Sequence, residues 1–280
     1  MSGPYALEAT FDAAFFGNVP LGATVFAPLI TSSYQHAYGN VYQNTTDLFE
    51  PQYATNIGML LPSTTPLATL FQQGALPQTA IFSDMTPVVT GNTALTQALA
   101  IPTNNPIGAL GFGPNNLVTN QYRVAYAADA AQNPDGATRA PQLAMQPPQI
   151  PPAASVQLAA SPQNTFRIDL KLNDLRNGPF WAPRSPMLLC GGDEDPTVFF
   201  GLNTLTMAAY WTGLPTGLVT VLDVNAPPAA GNPFAAAQAG FQQTLAGEIA
   251  SQGQQAAIAS YHSTVAPFCT VAARGFFSQF

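Results

Sequence analysis

Two residue types in this chain are spaced for proton-transfer chemistry. Gly192-Asp-Glu-Asp-Pro-Thr-Val198 presents carboxylates directly after a short apolar run, Met187 to Cys190. His262 follows Asp195 by 67 positions, in Ala259-Ser-Tyr-His-Ser-Thr264. A carboxylate at a strand end can accept the Nδ1–H of an imidazole. It thereby fixes the tautomer and stabilises the imidazolium that forms when Nε2 takes a proton from a nucleophile. Reading the turn as G-x-x-D-x-x-V selects Asp195 as the acid, and Asp193 competes with it two residues earlier. The other reading of the turn is a solvent-facing acidic loop or a divalent-cation loop of Asp193, Glu194 and Asp195. Three adjacent carboxylates reach one ion only in a specialised loop.

The rest of the chemical inventory is short. The chain has two histidines, His36 and His262. His36 lies in Ser33-Tyr-Gln-His-Ala-Tyr38, between tyrosines, and is read as structural or substrate-lining. Two histidines without cysteine or carboxylate at ligand spacing predict no zinc site. No G-x-G-x-x-G and no Walker motif occurs, so no nucleotide cofactor is expected. No G-x-S-x-G occurs either, so the nucleophile is missing from its usual turn. Ser2 lacks a strand-to-helix turn, and Ser185 precedes the acid strand and is badly placed.

Such residues need a scaffold, and composition bounds it. The 280 residues are 47% apolar and only 8% charged, with Lys171 as the single lysine; a quarter charged is usual. Asn, Gln, Ser and Thr supply the polar surface. The net charge of −7 carries no basic stripe, which excludes nucleic-acid partners. No apolar segment reaches the ~18 residues of a membrane span. Met1-Ser-Gly-Pro-Tyr5 has neither the basic nor the apolar region of a signal peptide. The amide-rich surface nonetheless fits an exported protein, secreted or periplasmic, so the expectation is that a leader has been lost with the N-terminus.

The two cysteines, Cys190 and Cys269, are 79 positions apart. Counting alone allows a disulfide or two buried thiols. Placement favours the bridge: Cys190 ends the strand before the acid turn and Cys269 follows the His262 segment. Closing a loop of that length is worth on the order of 4 kcal/mol in the chain-entropy model and calls for an oxidising compartment.

The elements that must position these groups read as α/β. Ala6–Phe16 predicts a helix ended by Gly17 and Pro20. Between about 31 and 165 the chain is rich in Thr, Asn, Gln, Pro and Gly, with short helices at Leu67–Gln73 and Thr93–Ala100. The Pro/Gln/Ala-rich stretch Pro141–Pro162 is expected to be extended and exposed. Phe166-Arg-Ile-Asp-Leu170 alternates like a strand or hairpin edge. Strands follow at Leu188–Cys190 and Leu218–Val224, and helices at Phe199–Thr212, at Pro233–Gln252 with Asn232 as N-cap, and at Ala266–Phe280. His262 falls in a polar loop of this scheme. Strand, helix, strand, helix is α/β architecture.

Four stretches carry a likeness: Met1-Ser-Gly-Pro-Tyr-Ala-Leu7, Ala37-Tyr-Gly-Asn-Val-Tyr42, Asn173-Asp-Leu-Arg176 and Trp181-Ala-Pro-Arg-Ser-Pro-Met-Leu-Leu-Cys-Gly-Gly-Asp-Glu-Asp-Pro-Thr-Val-Phe-Phe200. Together they resemble secreted bacterial lipases and esterases of the α/β-hydrolase fold, the kind with a large lid inserted before the catalytic acid. The resemblance implies three segments: 1–35 as partial hydrolase core after the nucleophile elbow, 36–165 as lid, and 166–280 as C-terminal core with the acid and histidine. It implies Asp195 and His262 as acid and base, an ester or lipid substrate, and no cofactor or metal. It also implies that the chain starts after the elbow, without the serine and the oxyanion-hole loop, and is inactive alone. Tyr34, Tyr38, Tyr42, Phe49 and Tyr53 would then line an acyl pocket or merely pack within the lid. The missing serine keeps a different class in view: a non-enzymatic extracellular carbohydrate- or surface-binding protein using the Asn/Gln/Thr/Tyr-rich middle.

Overall fold

The computed structural model describes residues 5–178 and 182–280. The opening motif through Ser2, and Trp181 of the acid-strand motif, lie outside them. The chain forms two compact units. One comprises Met1–Thr10, Gly136–Leu158 and Asp174–Phe280; the other Phe11–Asp135 and Ala159–Asn173. Their bounds differ from the three segments read from the sequence: residues 11–35 belong with the middle of the chain, and 136–158 with the strands. No helix among the described residues is long and apolar enough to cross a membrane.

The first unit is mixed helix and strand. Met187–Gly191 (β1) and Val219–Asp223 (β2) pair in parallel, from Met187 opposite Val219 to Gly191 opposite Asp223. Both form where expected, from an uninterrupted apolar run and a β-branched run. The parallel crossover between them uses a π turn, Gly201–Leu205, that runs into the helix Thr206–Tyr210. Buried Asn203 pins that turn, accepting from Ala6 N–H at 3.3 Å and donating to Phe199 C=O at 3.1 Å.

Alternation along the strands sorts the core. Leu188, Cys190 and Leu222 face one way, against Phe241, Tyr261, Val265 and Cys269. Leu189 faces the other way, against Tyr5, Met207 and Trp211. Met187 N–H donates to Leu218 C=O and Val224 N–H to Gly191 C=O. The odd-numbered residues of β1 therefore bond β2, and Leu188 and Cys190 turn their backbone groups to the other edge. No strand among the described residues pairs there.

The last two helices make a hairpin. Taking the longer helices in chain order, α1 is Leu7–Phe15, α2 Ala23–Tyr38, α3 Asn120–Gln132, α4 Thr165–Asn173, α5 Ala235–Gln252 and α6 Gln254–Phe277. Only Gly253 separates α5 from α6. Its φ of 87° is a left-handed value that a residue with a Cβ resists. Fully buried Phe241 of α5 meets Tyr261 and Phe268 of α6 edge-on, at 5.3 and 5.8 Å between ring centroids. Burying such a ring contributes about 1.5–3 kcal/mol. Cys190 and Cys269 form a disulfide with Cα atoms 5.7 Å apart, joining β1 to α6.

Four local expectations are corrected. Residues 166–170 lie in α4, not a strand, because Arg167 and Asp169 are as buried as their apolar neighbours and the alternation marks no solvent face. His262 lies inside α6 rather than in a loop. The hydroxyls that suggested a loop are satisfied within the hairpin, Ser260 and Thr264 donating to the two Glu248 carboxylate oxygens at 2.8 and 3.0 Å. The Pro-rich stretch is not wholly exposed: Val156 is fully buried, and its carbonyl accepts from Arg176 Nη1 at 2.9 Å. Asn232 accepts from Phe234 N–H at 3.0 Å, but α5 begins three residues after it.

The second unit is made of α2, α3, α4 and short helices. Its many Asn and Thr residues serve as caps: Asn92 accepts from Leu95 N–H, Asn105 from Gly108 N–H and Thr119 from Tyr122 N–H. Its interior holds the fully buried Arg167 of α4. This guanidinium donates to both Asp12 oxygens, at 2.9 and 2.7 Å, to Asp129 at 2.8 Å and to Asn133 C=O at 2.8 Å.

Candidate active site

The acid turn is built by the chain leaving β1. Asp195 N–H closes it on Gly192 C=O at 3.0 Å. Asp195 Oδ1 accepts from Thr197 and Val198 N–H at 2.8 and 3.0 Å, an Asx turn that Pro196 tightens. These bonds leave Oδ2 free, and it lies 2.7 Å from His262 Nδ1. The side chain of Asp195 is 3% exposed and that of His262 34%. A buried carboxylate thus backs a half-open imidazole. A carboxylate only accepts, so it sets the proton on Nδ1 and leaves the lone pair on Nε2. The arrangement can remove a proton from a group presented at Nε2 and return it.

Of the two competing carboxylates, Asp195 is the one that meets His262. Asp193 instead accepts from Asn225 Nδ2 at 2.7 Å, and its N–H donates to Asp223 at 3.2 Å. Burial and the neighbouring Asp193 charge push the Asp223 carboxyl up to about 6. Tyr261, beside His262 in α6, packs its buried ring on Gly192, where a Cβ would lie 2.6 Å from the phenol oxygen. The turn therefore needs glycine there for the helix to come this close. Burial pushes the Tyr261 phenol up as well, reinforced by the Asp193 charge.

The remaining sequence candidates lie elsewhere. His36 is in the last turn of α2, in the second unit. Ser185 is exposed and makes no hydrogen bond to His262. Ser260 and Ser263, the serines nearest His262 in sequence, donate to Glu248 and to Ser260 C=O. Among the described residues no serine hydroxyl bonds the imidazole. Of the aromatics read as lining a pocket or packing within the lid, Tyr34 packs on Tyr38 at 5.7 Å and Tyr42 on Phe49 at 6.2 Å. Tyr53 donates to Asn115 C=O at 3.2 Å. The sequence reading missed Asp223, Asn225, Tyr261 and Glu248. The available signal was an acid and an amide closing the second strand, in Leu222-Asp-Val-Asn225.

The hydrogen bond to Asp195 holds the His262 imidazole above the ordinary histidine range, against the opposing effect of partial burial. A base raised by folding contributes stability below its unfolded pKa, near 6.5, and loses it as pH rises through the folded value. The difference in melting temperature between wild type and His262→Gln should therefore be larger at pH 5.5 than at pH 8.5. Thermal unfolding at the two pH values checks this; an equal difference would show that the pair does not gain a proton on folding. The effect is a modest one, because a third of the imidazole is in water.

No protein family model matches the chain, and no curated protein matches it. Among solved structures, the chain is similar to the rice cell wall degrading esterase LipA from Xanthomonas oryzae, at 19% identity and a TM-score of 0.48, over 92% of this chain and 47% of that one. A mutant of that esterase matches at 20% identity and a TM-score of 0.48, over 87% and 45%. The chain spans about half the length of the solved structures it matches.

Proposed function

We propose that this chain carries the acid and base of a carboxylic ester hydrolase whose nucleophilic serine is not among its 280 residues. The observation that carries the reading is the 2.7 Å contact between buried Asp195 and half-open His262. In this mechanism a serine attacks the ester carbonyl and His262 Nε2 takes its proton. His262 then protonates the leaving alkoxide, and Asp195 stabilises the imidazolium in between. The motif likeness around the acid turn supports an ester as substrate rather than another acyl compound. That no strand among the described residues pairs the outer edge of β1 supports a larger sheet, since buried backbone groups are normally paired. Of the segment 36–165, the parts that fall in the second unit, 36–135 and 159–165, take the role of the substrate-selecting lid. The disulfide is compatible with an extracellular site of action.

The test is a comparison of two purified proteins. The 280-residue chain should neither hydrolyse a short-chain p-nitrophenyl ester nor react with a serine-directed fluorophosphonate. A chain extended in frame by the upstream coding sequence should do both. An extended chain that contains a G-x-S-x-G segment, folds and stays inert would sink the reading. Turnover by the 280-residue chain that His262→Ala abolishes would place the nucleophile among the present serines, with Ser2 the first to examine.

A further inference from the structure

The acid turn is held from outside by the end of β2. Register places Asp223 opposite Gly191, the last residue of β1 before the turn. Helix α5 fixes this end of β2 through its backbone: Gln238 Nε2 donates to Asp223 C=O and Gln242 Nε2 to Asn225 C=O, each at 2.9 Å. With the backbone anchored, the two side chains turn back onto the acid turn. Asp223 Oδ1 accepts from Asn225 N–H at 2.9 Å and from Asp193 N–H at 3.2 Å. Asn225 Nδ2 donates to Asp193 Oδ1 at 2.7 Å. Val224 N–H grips Gly191 C=O at 2.9 Å. Backbone and carboxylate of Asp193 are thus both held, two residues before Asp195.

We infer that Asp223 and Asn225 are positioning residues, which clamp Asp193 and so set the Asp195 carboxylate against His262. The inference rests on the proposed role of the Asp195–His262 pair and deepens it. Asp195 is fixed from its own C-terminal side by Thr197 and Val198, and from the N-terminal side only through the turn that Asp193 belongs to. A turn gripped at one end alone swings. A site of this kind has to hold its geometry within about half an ångström. The arrangement also keeps two carboxylates together, Asp193 and Asp223, where an asparagine at 223 would offer the same acceptor without the repulsion. Neither clamp residue touches the imidazole, so each acts through Asp195.

NMR titration of the His262 imidazole in the 280-residue chain tests this, with His36→Gln as background to leave one histidine signal. Asp223→Asn and Asp223→Ala remove the same charge, but only the first keeps an Oδ1 acceptor. Asp223→Ala should therefore lower the proton affinity of His262 by about threefold relative to Asp223→Asn. It should also lose the downfield Nδ1–H resonance of the Asp195 bond, which Asp223→Asn keeps. Asn225→Ala changes no charge and should lower the affinity similarly against wild type; it decides the matter if Asp223→Ala fails to fold. A purely structural role would lower the melting temperature of the alanine variants and leave His262 titrating as before. Equal titration of the two Asp223 variants, with Asn225→Ala unchanged from wild type, would overturn the inference. The readout needs no turnover. Failure of the extended chain to cleave esters would sink the proposed activity and leave the clamp measured; an unmoved His262 would sink the clamp and leave the activity open.

Discussion

Arg167→Met should destabilise the second unit by about 3–5 kcal/mol, the usual cost of breaking a buried ion pair from one side. The guanidinium is fully buried and carries two carboxylates, Asp12 and Asp129. Asp129 has other donors, Gln163 and Asn164 N–H, at 3.0–3.1 Å. Among the described residues Asp12 has only the Tyr126 hydroxyl besides, at 2.9 Å, and is 1% exposed. Without Arg167 its charge is stranded; burial already pushes its carboxyl up in spite of the arginine. Hydrogen exchange of the α3 and α4 amides, with urea unfolding followed by circular dichroism, measures the loss. A cost below about 1 kcal/mol would show that the network is not a stability element. Arg123→Met is the matched control. That arginine is also fully buried, but it stacks 4.5 Å over Phe82 and 4.9 Å over Phe112. It has no carboxylate to strand, and burial lowers its pKa to about 10. Methionine keeps most of the packing there, so the change should be near neutral.

Asp195→Asn should cost about four orders of magnitude in kcat in the serine-bearing chain, with KM little changed. The asparagine oxygen can still accept from Thr197 and Val198, so the turn keeps its shape. Its amide then faces Nδ1 and donates where the carboxylate accepted. The imidazole must place its proton on Nε2, and the lone pair that takes the serine proton is gone. Steady-state hydrolysis of a chromogenic ester gives the ratio. A loss smaller than tenfold would mean that His262 does not depend on this carboxylate, and the proposed mechanism would fall with it.

The two strands and the helices α1 and α5 were readable from the sequence, where one local signal sufficed, whereas α2 and α3 were not read as helices. Met187-Leu-Leu-Cys190 and Val219-Thr-Val-Leu222 are apolar or β-branched runs bounded by turn residues, and both are strands. The cysteine pairing was readable too, because placement beside the same two segments, those of Asp195 and His262, implied that they meet. What failed depended on partners far along the chain. Phe166-Arg-Ile-Asp-Leu170 alternates like a strand only if Arg167 and Asp169 face water; Arg167 is buried because Asp12, 155 positions away, receives it. The Ser/Thr-rich segment around His262 looks like a loop until Glu248 of the preceding helix supplies acceptors for its hydroxyls. The unit bounds likewise depend on distant contacts, since 136–158 joins the strands through bonds such as Arg176 with Val156. Which of Asp193 and Asp195 meets His262 depends on a turn geometry that three neighbouring carboxylates do not encode.

The Cys190–Cys269 bridge sets a schedule during synthesis. A ribosome adds about 5–20 residues per second, so the 79 positions between the two sulfurs take roughly 4–16 s to make. Through that interval Cys190 is a thiol without its mate, on a strand whose pairing partner β2 and covering hairpin are still being made. His262 emerges shortly before Cys269. The nascent chain therefore receives His262 and the second cysteine almost together, only seven positions apart. An oxidant that reaches Cys190 earlier diverts it to a sulfenic acid or a mixed disulfide with a foreign thiol.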